Sequence, residues 1–221
     1  MFGSVLPDNA QAALALLGQN KPFPADTYLA GGSALALQLG HRRSVDFDFF
    51  TPTPFNAKKL SKSLSALGVF QEEVALGISL IGIFQGVKIS CFQYEYPLIH
   101  RAIAYQNIAI AHPHDIAPMK LVAITDRGVK KDFVDLYAII HQGVSLDEMF
   151  IFYEQKYHLL ESNKYTILKA LGYFEEADQT DMPEMLIPLT WEEVKGFLSK
   201  ESMQLAKKLL EGTTSAAWAA H

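Results

Sequence analysis

Hydrophobic and polar residues follow two different periods along the chain. Residues 45–50 alternate strictly, with Val45 and the phenylalanines on one face and Asp46 and Asp48 on the other, so a half-buried strand is predicted. Residues 69–96 are rich in Val, Ile and Phe and are interrupted by glycines. This pattern predicts two or three antiparallel strands.

Helical spacing replaces the strand pattern after about residue 112. Residues 115–124 are apolar on nearly every face, which predicts a buried helix, and residues 130–140 repeat apolar side chains at i, i+3, i+4 and i+7. Capping-box sequences that begin at Ser145 and Thr190 predict further helices.

The predicted strands come before about residue 112, and the later part of the chain is predicted to be helical. This segregation is more consistent with an α+β fold than with a parallel doubly wound sheet. We expect residues 1–112 to form a core of mixed or antiparallel sheet with helices, and residues 113–221 to form a helical C-terminal part. A chain of 221 residues can hold one domain or two small ones.

Composition and charge exclude several classes of protein. Apolar residues make up 49% of the chain, which excludes a mainly disordered state, and the net charge of -5 excludes binding to nucleic acid by bulk basicity. The single cysteine, Cys91, excludes a disulfide framework and suits a small core residue in a strand. With no signal-peptide pattern and no apolar run near the ~20 residues of a bilayer span, we expect a cytoplasmic protein with no membrane partner.

The candidate chemistry lies in a Gly-Gly-Ser sequence and an acidic pair. Gly31 and Gly32 follow a short predicted strand and would let the backbone approach a phosphate, and Ser33 adds a hydroxyl donor at a helix N-terminus. Asp46 and Asp48 would point the same way, roughly 6–7 Å apart along their strand, and would need a cation. Hard oxygen ligands favour Mg²⁺ or Mn²⁺, so the combination has the layout of a nucleotidyl-transfer site.

Each part of this pattern also has a plain structural interpretation. Gly-Gly-Ser alone is typical of a turn, and Asp-Phe-Asp alone is typical of the solvated face of a strand; only their combination favours function. Arg42 lies between them and either contacts phosphates or belongs to a solvated turn.

Charged residues in the predicted helices also have both a functional and a plain structural interpretation. Lys120 is the one charge within residues 116–124, and it either pairs with an anion or extends to water. Asp132 and Asp135 would be helix-surface acids on pattern alone, and Lys131 either binds a phosphate or is solvated. His112 and His114 flank a proline with no third ligand nearby in sequence, which predicts a loop rather than a metal site.

Two sequence blocks carry a family resemblance. The first runs from Gly31-Gly32-Ser33 to the segment Val45-Asp46-Phe47-Asp48-Phe49-Phe50, and the second runs from Lys120 through Lys130-Lys131-Asp132 to Tyr137. Together they resemble the AbiEii/AbiGii-type nucleotidyltransferases of the DNA polymerase β-type superfamily, which include toxins of abortive-infection and toxin–antitoxin systems. The resemblance covers roughly residues 27–141.

The resemblance implies a polymerase β-type nucleotidyltransferase core that moves a nucleoside monophosphate from an NTP to a nucleic-acid acceptor such as tRNA, or to a protein acceptor. It also implies a cognate antitoxin as partner. The catalytic positions it implies are Asp46, Asp48, Lys120 and Asp132, with Asp46 and Asp48 as ligands of Mg²⁺ (or Mn²⁺). The nucleotide-binding positions we expect are Gly31, Gly32, Ser33, Arg42 and Lys131. Lys120 would neutralise phosphate charge, and Asp132 would serve as base or third metal ligand.

One departure from the family pattern leaves alternatives open. The third carboxylate usually lies on a neighbouring strand, yet residues 87–94 contain no acid and Glu95 comes just after them. Either Asp132 or Glu95 substitutes, or the metal is held less firmly, or the protein is inactive. The alternatives are a non-catalytic nucleotide- or protein-binding module that kept the fold, and a nucleotidyltransferase acting on small molecules.

Overall fold

The computed structural model describes residues 1–158 and 162–218. Contacts divide the chain into two compact units. The first comprises residues 1–116 and 184–187, and the second comprises the other described residues from 117 onward. Residues 159–161 and 219–221 of the expected helical C-terminal part lie outside the described residues.

The first unit is built on one mixed sheet. Its strands are β1 (Tyr28–Ala30), β2 (Phe47–Thr51), β3 (Phe70–Leu76), β4 (Ser79–Phe84), β5 (Val87–Gln93), β6 (Ile103–Tyr105) and β7 (Ile108–Ile110). Within the described residues these form a seven-stranded sheet in the order β3-β4-β5-β2-β1-β7-β6. In the described part of the chain no strand follows β7, so the predicted α+β arrangement is confirmed.

Helices flank the sheet and make up most of the second unit. They are α1 (Asp8–Asn20), α2 (Gly31–Leu39), α3 (Ala57–Leu67), α4 (Pro113–Asp126), α5 (Lys130–His141), α6 (Leu146–Tyr157), α7 (Ser162–Leu171), α8 (Glu175–Asp178) and α9 (Trp191–Trp218). In the first unit, α2 packs on β1 and β2, and α3 packs on β3 and β4. In the second, α5, α6 and α7 pack against α9.

Strand β2 begins later than its sequence pattern predicts. Its apolar face is correct, since Phe47 and Phe49 are buried, but Val45 is 51% exposed and Asp46 lies before the strand. The cause is non-local: the backbone N–H groups of the two preceding residues donate to carbonyls in other segments, Arg43 to Glu184 and Ser44 to Val5. These residues therefore cannot extend the β1–β2 ladder.

The antiparallel strands after residue 69 are confirmed as β3, β4 and β5. Their turns use glycines with positive φ, Gly77 at 56° and Gly86 at 76°, which is the conformation that glycine adopts at low cost. The β6–β7 hairpin was not predicted, because its turn residues Gln106 and Asn107 adopt positive φ without a glycine. Cys91 is buried in β5, and burial raises the pKa of its thiol to about 12.

The second unit has the helix starts that the sequence predicts. Ser145 and Glu148 form a complete capping box at α6, and Thr190 and Glu193 make the same reciprocal hydrogen bonds at α9. Among the described residues, no helix combines the length and apolarity that crossing a membrane requires.

Candidate functional site

The Gly-Gly-Ser sequence forms the first turn of helix α2 rather than a separate turn before it. Helix α2 begins at Gly31, which has a φ of 68°, directly after strand β1. A residue with a side chain would be strained there. The chain thus passes from β1 into a helix without a connecting loop, and the N-terminal N–H groups of α2 lie at the end of the strand.

The carboxylate of Asp48 lies against this helix start. Asp48 is the register partner of Ala30 in the antiparallel pairing of β1 with β2. A Cβ atom added to Gly31 would meet Asp48 Oδ2 at 2.8 Å, closer than real Cβ contacts allow. The missing side chain of Gly31 is therefore what allows the carboxylate to sit beside the positive end of the helix dipole.

Strand β5 holds the other oxygen of the same carboxylate. Asp48 pairs with Ser90 in the parallel ladder of β2 and β5, and Ser90 Oγ donates a hydrogen bond of 2.7 Å to Asp48 Oδ1. The neighbouring strand therefore presents a hydroxyl, not an acid, opposite Asp48. Glu95 lies beyond the end of β5 and is exposed, with Gln93 Nε2 3.3 Å from its Oε1.

Ser33 connects helix α2 to the segment that carries Asp46. The Ser33 side chain is buried, and its hydroxyl contacts both the carbonyl oxygen of Asp46, as a close hydrogen bond, and Ser44 Oγ at 2.9 Å. Asp46 itself lines a surface cavity together with Lys88. The structure thus brings Ser33 to the backbone of Asp46, and Gly31 to the side chain of Asp48.

Arg42 is buried, so the solvated-turn alternative for it is wrong. Its side chain lies against Gly32, where an added Cβ would collide with Arg42 Nη2, and only 3% of the residue is exposed. Arg42 Nη1 donates to the carbonyl of Arg43 at 2.9 Å, and its backbone forms an isolated bridge with Met185. A guanidinium is thereby fixed beside the first turn of α2.

The second unit contains a buried ionic cluster around Lys120. Lys120 Nζ lies 2.9 Å from Asp132 Oδ1 and 2.6 Å from Asp135 Oδ2, and both carboxylates are fully buried. Arg127 donates to Asp132 from Nε at 2.9 Å and from Nη2 at 3.1 Å. Lys120 therefore pairs with anions instead of extending to water, and the pattern-based expectation of helix-surface acids is wrong for Asp132 and Asp135.

The cluster keeps Asp132 ionised. Burial by itself raises the pKa of the Asp132 carboxyl, but the charge of Lys120 and the hydrogen bonds from Arg127 and Lys120 outweigh it. The pKa of Asp132 is therefore lowered from its ordinary value. Two cations, Lys120 and Arg127, contact the buried Asp132 carboxylate, and such pairing is how a protein tolerates buried charge.

The two lysines at the start of α5 have different surroundings. Lys130 is largely buried, where its Nζ donates to the carbonyl of Thr180 at 2.7 Å and lies 5.3 Å from the centre of the Trp191 ring. Lys131 is exposed. Of the dibasic pair, Lys131 is thus the residue whose charge faces solvent.

Sequence reasoning missed Ser90 and assigned no functional role to Asp135. Ser90 has no signal of its own, because its importance follows from the β2–β5 register, which joins residues 42 positions apart. Asp135 did carry a signal: it lies one helical turn after Asp132, and both could reach one lysine.

A family model described as "Nucleotidyl transferase AbiEii toxin, Type IV TA system" matches residues 15–211. The chain belongs to the AbiEii family. The predicted family resemblance is therefore confirmed, and the match extends well beyond residues 27–141, on which the resemblance was based.

Known proteins resemble this AbiEii-family chain, one in sequence and others in fold. An uncharacterized protein of Aquifex aeolicus is 38% identical over 181 residues, covering 80% of this chain and 86% of that protein. The crystal structure of JHP933 from Helicobacter pylori aligns with a TM-score of 0.54 at 17% identity, covering 98% of this chain and 100% of that one. MenT4, a nucleotidyltransferase toxin from Mycobacterium tuberculosis H37Rv, aligns with a TM-score of 0.51 at 14% identity, covering 89% and 84%.

Proposed function

We propose that this chain is an Mg²⁺-dependent enzyme that transfers a nucleoside monophosphate from an NTP to an acceptor and releases pyrophosphate. Membership of a nucleotidyltransferase family supports the reaction class. The observation that carries the proposal is the placement of Asp48, whose carboxylate lies beside Gly31 at the start of α2 and is oriented by Ser90.

Two carboxylates would suit a hard divalent cation, although at the start of α2 Asp48 is placed by its carboxylate and Asp46 by its backbone carbonyl. Asp46 and Asp48 would supply carboxylate oxygens, and Mg²⁺ commonly takes one or two such ligands together with waters and substrate phosphates. The ion would neutralise charge on the phosphates and align the attacking oxygen. Because Ser90 occupies Asp48 Oδ1, we assign Oδ2 as the oxygen that Asp48 offers.

The first turn of α2 would receive the triphosphate. Gly31 and Gly32 present backbone N–H groups without side chains that would hold a phosphate away. Arg42, fixed beside Gly32, would add positive charge. We propose that Ser33 acts chiefly by holding the Asp46 backbone, since its hydroxyl is already engaged there.

In the second unit we propose that Lys120 and Asp132 act as a pair. The role of Asp132 as base or third metal ligand stays a prediction, but its lowered pKa and its contacts with Lys120 and Arg127 favour a positioning role. Neutralisation of phosphate charge by Lys120 also stays a prediction. Exposed Lys131 and the half-exposed Arg127 are better candidates for direct contact with phosphate.

The acceptor we propose is nucleic acid, with tRNA as the first candidate, or a protein. The family description as the toxin of a type IV toxin–antitoxin system supports a toxin role and a cognate antitoxin as partner. A non-catalytic nucleotide- or protein-binding module is the main competing function, because Ser90 stands opposite Asp48 where an acid was expected. The other competing function is nucleotidylation of a small molecule.

The decisive experiment incubates the full chain with each of the four α-labelled NTPs, Mg²⁺, and either total RNA or a protein mixture. We expect transfer of label that is abolished by EDTA and by Asp46→Asn or Asp48→Asn. Asp26→Asn is the matched control, since Asp26 is exposed, belongs to the same unit and has a φ of 61°, which asparagine tolerates. This control should transfer label like the unmodified chain.

The competing functions give different results in the same assay. NTP binding without transfer to any acceptor would support the non-catalytic module. Label found only on added small alcohols or amines would support the small-molecule enzyme. Transfer that survives both Asp46→Asn and Asp48→Asn would contradict the metal site as proposed.

A further inference from the structure

A cluster of histidine rings lies in the first unit and includes none of the residues proposed for nucleotidyl transfer. It consists of His100, His112 and His114, and one ring nitrogen from each lies within 4.8 Å of the others. All are half-buried. His100 comes from the loop between β5 and β6, His112 follows β7, and His114 lies in the first turn of α4.

The sequence hid this cluster because one member is distant along the chain. His112 and His114 alone, on either side of a proline, predicted a loop without a third ligand. The fold supplies that ligand from His100, and the loop prediction is incomplete for that reason. A set of nitrogen donors from separate segments is the usual composition of a transition-metal site.

The spacing of the facing nitrogens suits a tetrahedral ion. His114 Nδ1 and His100 Nε2 are 3.2 Å apart. Two imidazole nitrogens on one zinc ion, each at about 2.0–2.1 Å and at a tetrahedral angle, lie about 3.3 Å apart. These rings therefore already stand at the separation that shared coordination requires.

Asp115 holds the backbone of the segment that carries His100. Its buried carboxylate accepts hydrogen bonds from the backbone N–H groups of Ile99, at 2.7 Å, and His100, at 2.9 Å. Oδ2 of the same carboxylate lies 3.8 Å from His100 Nδ1, which is longer than a hydrogen bond. Asp115 therefore fixes the backbone at His100 rather than its ring.

His112 would have to give up one contact to bind an ion. Its Nδ1 accepts a 3.2 Å hydrogen bond from the backbone N–H of His114, and coordination through this nitrogen would replace that hydrogen bond.

We propose that His100, His112 and His114 bind one divalent transition-metal ion of the Zn²⁺ type, with water or another small ligand at the remaining position. Imidazole nitrogens favour such ions over Mg²⁺, so this site differs in chemistry from the carboxylates Asp46 and Asp48. The ion would join the loop before β6 to the start of α4 and so stabilise the first unit.

Metal alone is the probe that tests this site. The full chain, without a polyhistidine tag and stripped with a chelator, is titrated with Zn²⁺ against a chromophoric competitor and separately with Co²⁺. We expect one ion per chain, a tetrahedral Co²⁺ absorption band, and a higher thermal midpoint with Zn²⁺. His100→Gln, His112→Gln and His114→Gln should each raise the Zn²⁺ Kd by more than about tenfold.

The metal-binding test has two controls: a variant of a histidine outside the cluster, and the Co²⁺ spectrum of the unmodified chain. His158→Asn removes an exposed histidine whose φ of 49° suits asparagine, and its Zn²⁺ affinity should be unchanged. Absence of the Co²⁺ band in the unmodified chain overturns the proposal and identifies the cluster as packed neutral rings. The proposal is also overturned if His100→Gln binds Zn²⁺ as tightly as the unmodified chain does. Metal-free midpoints measured for every variant separate loss of binding from loss of folding.

Discussion

Ser90 Oγ donates a 2.7 Å hydrogen bond to Asp48 Oδ1 across the parallel pairing of β2 with β5. On its other side, Asp48 is the register partner of Ala30 in β1, the residue just before Gly31. One carboxylate is thus positioned by both neighbouring strands and by the start of a helix. A shift of β2 by a single residue would turn this side chain to the opposite face of the sheet.

Replacing Ser90 with aspartate should make the stability of the chain depend on Mg²⁺. Ser90→Asp would place a second carboxylate opposite Asp48 at a buried position, at a cost above the ~1–3 kcal/mol of an unsatisfied neutral group when no cation is bound. A divalent ion bound between the two would offset the repulsion. We expect a lower thermal midpoint in EDTA and a larger rise on adding Mg²⁺ than in the unmodified chain, measured by scanning fluorimetry.

Ser79→Asp is the control for that experiment. Ser79 begins the neighbouring strand β4, is half-buried and pairs with Phe92 instead of an acid. Its aspartate variant should show no added response to Mg²⁺. Equal Mg²⁺ responses in the two variants would contradict a cation site at Asp48.

Gly31→Ala should abolish nucleotidyl transfer while leaving the chain folded. The new Cβ would meet Asp48 Oδ2 at 2.8 Å, and a φ of 68° adds strain of about 1–2 kcal/mol. The carboxylate must therefore move away from the start of α2. We expect label transfer to fall by about 100-fold or more, as for other displaced catalytic groups.

Gly77→Ala is the control that separates the effect of backbone strain from the effect of displacing the Asp48 carboxylate. Gly77 has a similar φ of 56°, but nothing lies within 4 Å of an added Cβ. It should lose comparable stability in urea unfolding and keep its activity. If Gly77→Ala and Gly31→Ala reduce activity equally, the effect is one of stability and the proposed role of Asp48 beside Gly31 is wrong.

Local pattern predicted much of the fold, and the errors arise where distant segments meet. The alternation around Phe47 and Phe49 correctly gave the buried face of β2, because strand side chains alternate regardless of context. Its start at Val45 was wrong, since the backbone just before Val45, at Arg43 and Ser44, bonds to Glu184 and Val5, which no local window contains.

In the candidate site, too, some features follow from the local sequence and others depend on contacts between distant segments. Gly31 and Asp48 were candidates from the sequence because their residue types and order suit phosphate and metal chemistry, and the structure places them side by side. The role of Ser90 depends on sheet register, and the burial of Asp132 depends on tertiary packing that helical periodicity does not determine. His100 joins its cluster for the same non-local reason.

Ser33→Ala should destabilise the chain more than it weakens nucleotide binding. The Ser33 hydroxyl is buried and bonds to the Asp46 carbonyl, and leaving that carbonyl unsatisfied costs about 1–3 kcal/mol. We expect a lower urea midpoint and a reduced kcat through the displaced Asp46, with the KM for NTP changed less than threefold or so. A raised KM with unchanged stability would instead identify Ser33 as a triphosphate ligand.

Lys120→Met should be among the most destabilising single changes in the second unit. It would leave Asp132 and Asp135 as buried carboxylates without the ammonium that lies within 2.9 Å of both. Removing one partner of a buried ion pair typically costs about 3–5 kcal/mol. Lys207→Met is the control, because Lys207 is 78% exposed and its pair with Glu211 should contribute under about 1 kcal/mol. Equal urea midpoints for the two variants would contradict the structural role of the cluster.

Lowering the pH should reduce the folding stability of the chain, in part by protonating Asp132. The folded-state pKa of Asp132 lies below its unfolded value of about 3.9, so the folded chain binds fewer protons there. Its contribution to stability is therefore complete above that value and is lost as pH falls from about 4 through the lower folded pKa. Asp132→Asn should be less stable at pH 7 and should lose less stability between pH 5 and pH 3 than the unmodified chain. Exposed Asp181→Asn should follow the unmodified chain throughout. Parallel pH profiles for Asp132→Asn and Asp181→Asn would show that Lys120 and Arg127 do not hold the Asp132 carboxyl in its charged form.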